Sequence, residues 1–217
     1  MTPDFLQVTQ TLLEGFGTTI FIFVVSFVFS IPLGMLFTFF SLRKWKAVQK
    51  IMQLFLWIIR GTPLMLQIIA VFYIPGLVFN VQGFERMVAV IVAIVINYAV
   101  YFSEIFRASY QTIDVGQREA AQALGFSRPQ TFFRVHLLQI IKRSLPPLAN
   151  ETISLVKDTA LARVLAITEV LYSAQKLVAT YAIIYTLFYT AVFYLVFNCF
   201  ISILYKFAEK KLSYYEG

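Results

Sequence analysis

Charge is scarce in this chain, and the scarcity decides its class. Of 217 residues, 13% are Asp, Glu, Lys or Arg, 59% are hydrophobic and 17% aromatic, and the mean hydropathy is +0.77. A soluble domain carries about 25% charged residues, so an integral membrane protein is expected. Cysteine is limited to Cys199 inside an apolar run, which excludes an intrachain disulfide. His136 is the only histidine and lies far from Cys199 in sequence, too few ligands for a metal centre. There is no Gly-x-x-x-x-Gly-Lys-Ser/Thr phosphate loop, so ATP binding by that route is excluded, and no Ser-His-Asp or Cys-His set closes on near neighbours. The first fourteen residues hold Asp4 and Glu14 but no Lys or Arg. They lack the basic leader of a secretory signal and are expected to form a short external segment.

Long apolar runs are what the chain does have. Phe16 to Phe40 suffices to span about 30 Å of hydrocarbon, with Gly17, Pro32 and Gly34 as close-packing or kink positions. Arg43, Lys44, Lys46 and Lys50 follow and place the next loop inside. A second run, Ile51 to about Pro75, is interrupted by Arg60-Gly61-Thr62-Pro63, where proline removes a backbone donor. Two readings stay open there: irregular backbone lining a protein-enclosed cavity, or an Arg60 that snorkels to the inner interface. Gly76 to Arg86 reads as an external turn. Met87 to Ser109 is a third span, whose Asn97, Tyr98, Tyr101, Ser103, Glu104 and Arg107 are too polar for a lipid face.

Pro147 to about Ile167 is a fourth span containing Asn150, Glu151, Lys157, Asp158 and Arg163. Each charge at the centre of a lipid-facing helix costs roughly 2.5–3.5 kcal/mol, so this helix is expected to be wrapped by protein. Glu169 to Thr180 reads as an external loop or short surface helix, and Tyr181 to Tyr205 as the fifth span. Lys206, Lys210 and Lys211 finish inside. Among loop residues, those clusters and Arg118, Arg128, Arg134, Lys142 and Arg143 lie inside, against Arg86 and Lys176 outside. That asymmetry predicts five spans with the amino terminus outside. It also explains the net charge of +7 by topology rather than nucleic-acid binding. The expected fold is an all-α polytopic membrane protein, one domain over 1–217, with an external 1–14 segment, a cytoplasmic loop at 112–146 and a cytoplasmic tail at 206–217.

The loop has its own signals. Asp114 with Gln117 three residues later is a loose capping box, and Gly125 offers a left-handed stop, so Gln117 to Leu124 is predicted to be one short helix. Ala120, Ala121 and Ala123 give it a slim profile suited to a groove. Ser127 then caps a second helix with Pro129 in its first turn, which Leu145-Pro146-Pro147 is expected to end.

Glu119-Ala120-Ala121, Gly125 after three intervening residues, and Leu145-Pro146 resemble the EAA loop of membrane subunits of ABC importers. With Glu104-Ile105-Phe106-Arg107, Asp114-Val115-Gly116-Gln117, Arg60-Gly61-Thr62-Pro63 and Lys157-Asp158-Thr159, the chain from Glu14 to Lys210 resembles the polar amino acid uptake branch of those permeases. The resemblance implies a type I importer permease in a bacterial cytoplasmic membrane. Its implied partners are two ABC ATPase subunits, a second permease that is a copy or a relative, an extracytoplasmic substrate-binding protein and an amino acid substrate. No cofactor is implied in this chain, ATP and magnesium belonging to the ATPase. Gln117, Glu119, Ala120, Ala121 and Gly125 are the implied ATPase-coupling residues.

For the substrate path, a zwitterion needs both a donor and an acceptor within the membrane. Asn97, Tyr101, Glu104 and Arg107 on the third span and Asn150, Glu151, Lys157 and Asp158 on the fourth are the candidates. Tyr101, Glu104 and Ala108 share a face, and so do Glu151 and Asp158. The competing reading is structural, with Glu104 paired to Arg107 or Lys157. Two other functions stay open: an intramembrane enzyme using Glu104 and Asp158 as paired carboxylates, and an ATP-independent channel, which would not need an Ala-rich docking helix.

Overall fold

The computed structural model describes residues 3–43 and 45–212. Lys44 of the first basic cluster and the end of the tail, 213–217, lie outside the described residues. Every regular element described is helical.

Helix α1 (Phe5–Ser41) opens on a complete capping box between Asp4 and Gln7. Residues 5–14 of the expected external segment are the first turns of α1, where Val8 and Leu12 are fully buried. Pro32 sits within α1 without ending it. Gly34 is where α1 meets α4 (Arg86–Gln111): a Cβ there would lie 2.9 Å from the Ala99 carbonyl oxygen and 3.0 Å from Cβ of Phe102. Gly17, by contrast, faces open space, so its role as a packing glycine is also corrected. The small residue that the sequence reading missed is Gly15, pressed on the backbone of Glu169 and Val170.

The second apolar run is two helices, α2 (Lys46–Gly61) and α3 (Leu64–Phe79), bent by 109° at the Thr62-Pro63 break. Both of those residues are extended, the conformation that proline favours in its predecessor, and proline leaves the break without a backbone donor. Gln67 Nε2 satisfies the freed backbone there, donating to the carbonyls of Ile59 at 2.8 Å and Thr62 at 3.1 Å.

After α4 come α5 (Val115–Ala123), α6 (Arg128–Thr131), one π turn (Phe132–His136) and α7 (Leu137–Asp158). The predicted stop at Leu145-Pro146-Pro147 is wrong, because α7 runs through both prolines. Both face outward, while Ser144 Oγ donates to Ser109 Oγ at 2.9 Å and Arg143 Nη1 to Thr112 Oγ1 at 2.8 Å. These ties hold the inner face of α7 on α4, and tertiary packing offsets the missing N–H groups.

A 3₁₀ segment (Thr159–Leu165) leads to α8 (Val170–Tyr181) and α9 (Tyr185–Leu212). Helix α8 is not a loop lying on the surface: Val170, Ala174 and Leu177 form a small core with Val8 and Leu12. The larger core joins Ile22, Ile94, Phe102, Leu155 and Val156 at the centre. By length and composition α1, α4 and α9 can each cross a membrane, and the bent α2–α3 pair makes a fourth candidate. Helix α7 falls short of that test because of its charges.

Candidate functional site: a charged cavity between three helices

Helix α4 presents opposite chemistry on its two sides. Phe102 and Phe106 are buried in the core, while Tyr101, Glu104 and Ala108 line a cavity of about 710 Å³. Arg60 at the α2 break, Arg107, and Arg143, Pro147 and Glu151 of α7 line the same cavity. A second cavity of about 550 Å³, shared by Arg60, Tyr101, Glu104 and Arg107, extends towards Gln53 and Trp57 of α2. The α2–α3 break thus gives these cavities both irregular backbone and a cation, Arg60, whose side chain stays 48% exposed.

Glu104 is held from two sides. Arg107 donates Nη2–H to Glu104 Oε2 at 2.7 Å and Nε–H to Oε1 at 3.2 Å, and Arg60 Nη1 reaches Oε2 at 3.3 Å. Arg107 also donates to Gln111 Oε1 at 3.0 Å. For Glu104 the structural reading with Arg107 holds, and Arg60 joins it in place of Lys157. Two guanidinium groups around one carboxylate leave donors over, since each has five N–H groups. Glu151 is half-buried on the facing helix and has no hydrogen bond or ion pair among the described residues. One wall of the cavity therefore carries spare cationic donors, and the other an uncommitted carboxylate.

The remaining predicted residues are not part of this cavity. Asn97 is buried and donates to Gln67 Oε1 at 3.0 Å, so it braces the α2–α3 break. Asp158 accepts the Tyr98 hydroxyl at 2.7 Å, tying α7 to α4. Asn150 and Lys157 are exposed on α7 and line neither cavity. Asp158 thus lines neither of the two cavities that Glu104 lines, and the two carboxylates have different partners. Sequence reasoning missed Gln67 and Glu169. Glu169 is fully buried and caps α8, accepting from the amides of Tyr172 at 2.6 Å and Leu171 at 2.8 Å and from the Tyr194 hydroxyl at 3.3 Å. Its signal was a lone carboxylate placed directly before a helical run.

The loop helix α5 forms nearly as expected, but Asp114 caps it through the Gly116 amide at 2.7 Å, without the reciprocal bond of a capping box. Gly125 has φ of +79°, the left-handed conformation that ends the helix. Of the three alanines, only Ala121 turns inward, at 4% exposure. Glu119, Ala120, Ala123 and Leu124 face outward. Gln117 faces the chain itself, its Oε1 accepting from Gln139 Nε2 at 2.7 Å, which fixes α5 to α7.

Comparison with known proteins follows the same outline. Residues 30–214 match the family described as binding-protein-dependent transport system inner membrane component. The chain is 31% identical over 203 residues to the glutamine transport system permease protein GlnP of Escherichia coli (strain K12), covering 93% of each. It is 33% identical over 205 residues to the arginine transport system permease protein ArtQ of Bacillus subtilis (strain 168), covering 93% of this chain and 92% of that one. With the L-cystine transport system permease protein TcyB of the same organism it shares 35% over 164 residues, 75% of this chain and 69% of the relative. Among solved structures, a chain from the crystal structure of an amino acid ABC transporter with histidines superposes with a TM-score of 0.86 at 26% identity, covering 97% of this chain and all of that one. An inward-facing MetNI methionine ABC transporter shares the fold at a TM-score of 0.68 and 15% identity, covering 94% of this chain and 95% of that one.

Proposed function

This chain belongs to the binding-protein-dependent transport system inner membrane component family, and from that membership we infer that it is the permease subunit of an ABC importer of amino acids. The ATPase and the substrate-binding protein are separate partners in this reading, and ATP with magnesium is held by the ATPase. Helix α5 is the docking element, presenting Glu119, Ala120, Ala123 and Leu124 to an ATPase groove. The five crossings are α1, the bent α2–α3 pair, α4, α7 with its 3₁₀ extension, and α9, with the amino terminus outside and the membrane that of a bacterial cell. A second permease subunit completes the pathway.

The observation that carries the substrate assignment is the cavity with Arg60, Glu104 and Arg107 on one wall and Glu151 on the other. An amino acid is amphoteric, and its carboxylate takes the spare guanidinium donors while its ammonium approaches Glu151. A channel for one sign of charge would be lined by one sign instead. The test is Glu151→Gln in the reconstituted complex, with uptake and ATP hydrolysis measured together. Loss of a charge-assisted hydrogen bond is worth about 1.5–3 kcal/mol, so apparent transport affinity should fall about tenfold or more with assembly intact. Unchanged affinity and substrate preference would return Glu151 to a structural role.

A further inference from the structure

The docking loop and the inner ends of α1 and α4 enclose two adjoining cavities of contrasting chemistry. The first, about 140 Å³, is lined by Tyr110, Arg118, Gln122, Arg128, Thr131, Phe132 and His136. Neither arginine pairs with a carboxylate among the described residues. His136 is only 6% exposed, and its Nε2 is enclosed with no hydrogen-bond partner. The two exposed guanidinium groups, without a carboxylate partner, stand beside this buried ring and offer charge-assisted donors to an anion.

The second cavity, about 650 Å³, lies beside the first, and Tyr110 and Phe132 line both. It runs between Ile31, Met35 and Phe39 of α1, Phe106 of α4, and Ile140 to Leu148 of α7. Arg43 is the one charged residue that lines it. Its serine and threonine hydroxyls are spent inside the protein, Thr38 on the carbonyls of Gly34 and Ser103 and Ser144 on Ser109. The groove is on the Phe102–Phe106–Tyr110 side of α4, opposite the Tyr101–Glu104 cavity where a second permease would complete a pathway. In the proposed pairing, that outer side is the one left to the bilayer.

An anion pocket adjoining an apolar slot, beside basic side chains, fits one class of ligand. We propose that the two cavities together form a binding site for an anionic phospholipid of the inner leaflet. Its phosphate sits among Arg118, Arg128 and His136, and one acyl chain lies in the groove below Tyr110 and Phe132. Burial and the neighbouring Arg118 lower the proton affinity of His136 in the empty pocket, and a bound phosphodiester would reverse that shift. The lipid would thereby bridge α5 and α6 to the ends of α1 and α4, tying the loop to membrane composition.

The permease–ATPase complex in mixed phosphatidylcholine and phosphatidylglycerol nanodiscs, released into native mass spectrometry, tests this. Phosphatidylglycerol should be retained over phosphatidylcholine. Retention should fall about tenfold in Arg128→Gln, on the scale of one lost charge-assisted hydrogen bond. Ile141→Trp, which fills the groove without touching the charged pocket, should lower it as well. Equal retention of both lipids, or retention unchanged in both variants, overturns the proposal. Displacement of the His136 ring signal by inorganic phosphate alone, indifferent to Ile141→Trp, also overturns it and leaves a free-anion pocket.

Discussion

At the scale of single residues, the tightest statement concerns Gly34. A methyl group there would sit inside van der Waals contact with the backbone of α4, which cannot yield as a flexible side chain would. Gly34→Ala should therefore destabilise by about 1–3 kcal/mol, the usual cost of overpacking. Gly17→Ala meets open space and should be neutral or gain about 0.5–1 kcal/mol of helix propensity. Thermal unfolding of the two variants in one detergent separates the predictions, and equal melting temperatures would refute the close approach. His136 gives a pH prediction with a definite sign. Burial and Arg118 hold its folded-state pKa below the ordinary value, so the unfolded loop takes up the proton first. The contribution of a neutral His136 is complete above about pH 6.5 and is lost as pH falls below it. Melting temperature in neutral lipid should drop across that range for the wild type, and His136→Gln should flatten the dependence.

At the scale of elements, α5 separates two roles that its alanines share in sequence. Ala121 faces the chain's own packing, whereas Ala120 and Ala123 face out with Leu124 at 76% exposure. Ala123→Trp should abolish substrate-stimulated ATP hydrolysis while the permease keeps its melting temperature. Ala121→Trp should lower both, because a buried site cannot accept the volume. Gly125→Val meets no steric neighbour, so its effect is purely backbone. A β-branched residue in the left-handed region costs about 1–3 kcal/mol. Faster hydrogen exchange confined to 115–126, with reduced ATPase stimulation, is the expected outcome. Coupling unaffected in both Ala123→Trp and Gly125→Val would remove α5 from the docking role. Its cap and its glycine stop revealed this helix, but which alanine turns inward depends on where Gln117 meets Gln139, a contact between segments 22 residues apart.

At the scale of the whole molecule, the chain leaves Trp57, Leu77, Phe188 and Leu195 among many large side chains more than two-thirds exposed. Exposed apolar surface of that extent belongs against lipid or another subunit. The orientation is testable by labelling. In a Cys199→Ala background, since Cys199 is exposed, a cysteine at Gln82 should react with an impermeant thiol reagent from outside and one at Arg128 should not. The opposite pattern would invert the topology and detach α5 from any cytoplasmic ATPase.

The sequence by itself determined the membrane class, the helical content, the break after Arg60 and the short helix after Asp114. Each rests on short-range physics: hydropathy over a span, proline and glycine geometry, capping within four residues. Only the tertiary structure decided how the polar residues divide. Glu104, Arg107 and Glu151 came together with Arg60, while Asn97 and Asp158 went to Gln67 and Tyr98 as braces. Local spacing says which side chains share a helix face, but not which neighbour that face meets. The same limit explains α7, whose two prolines read as a stop until its contacts with α4 outweighed two missing hydrogen bonds. It also explains Gly15, whose constraint is set by α8, more than 150 residues further along the chain.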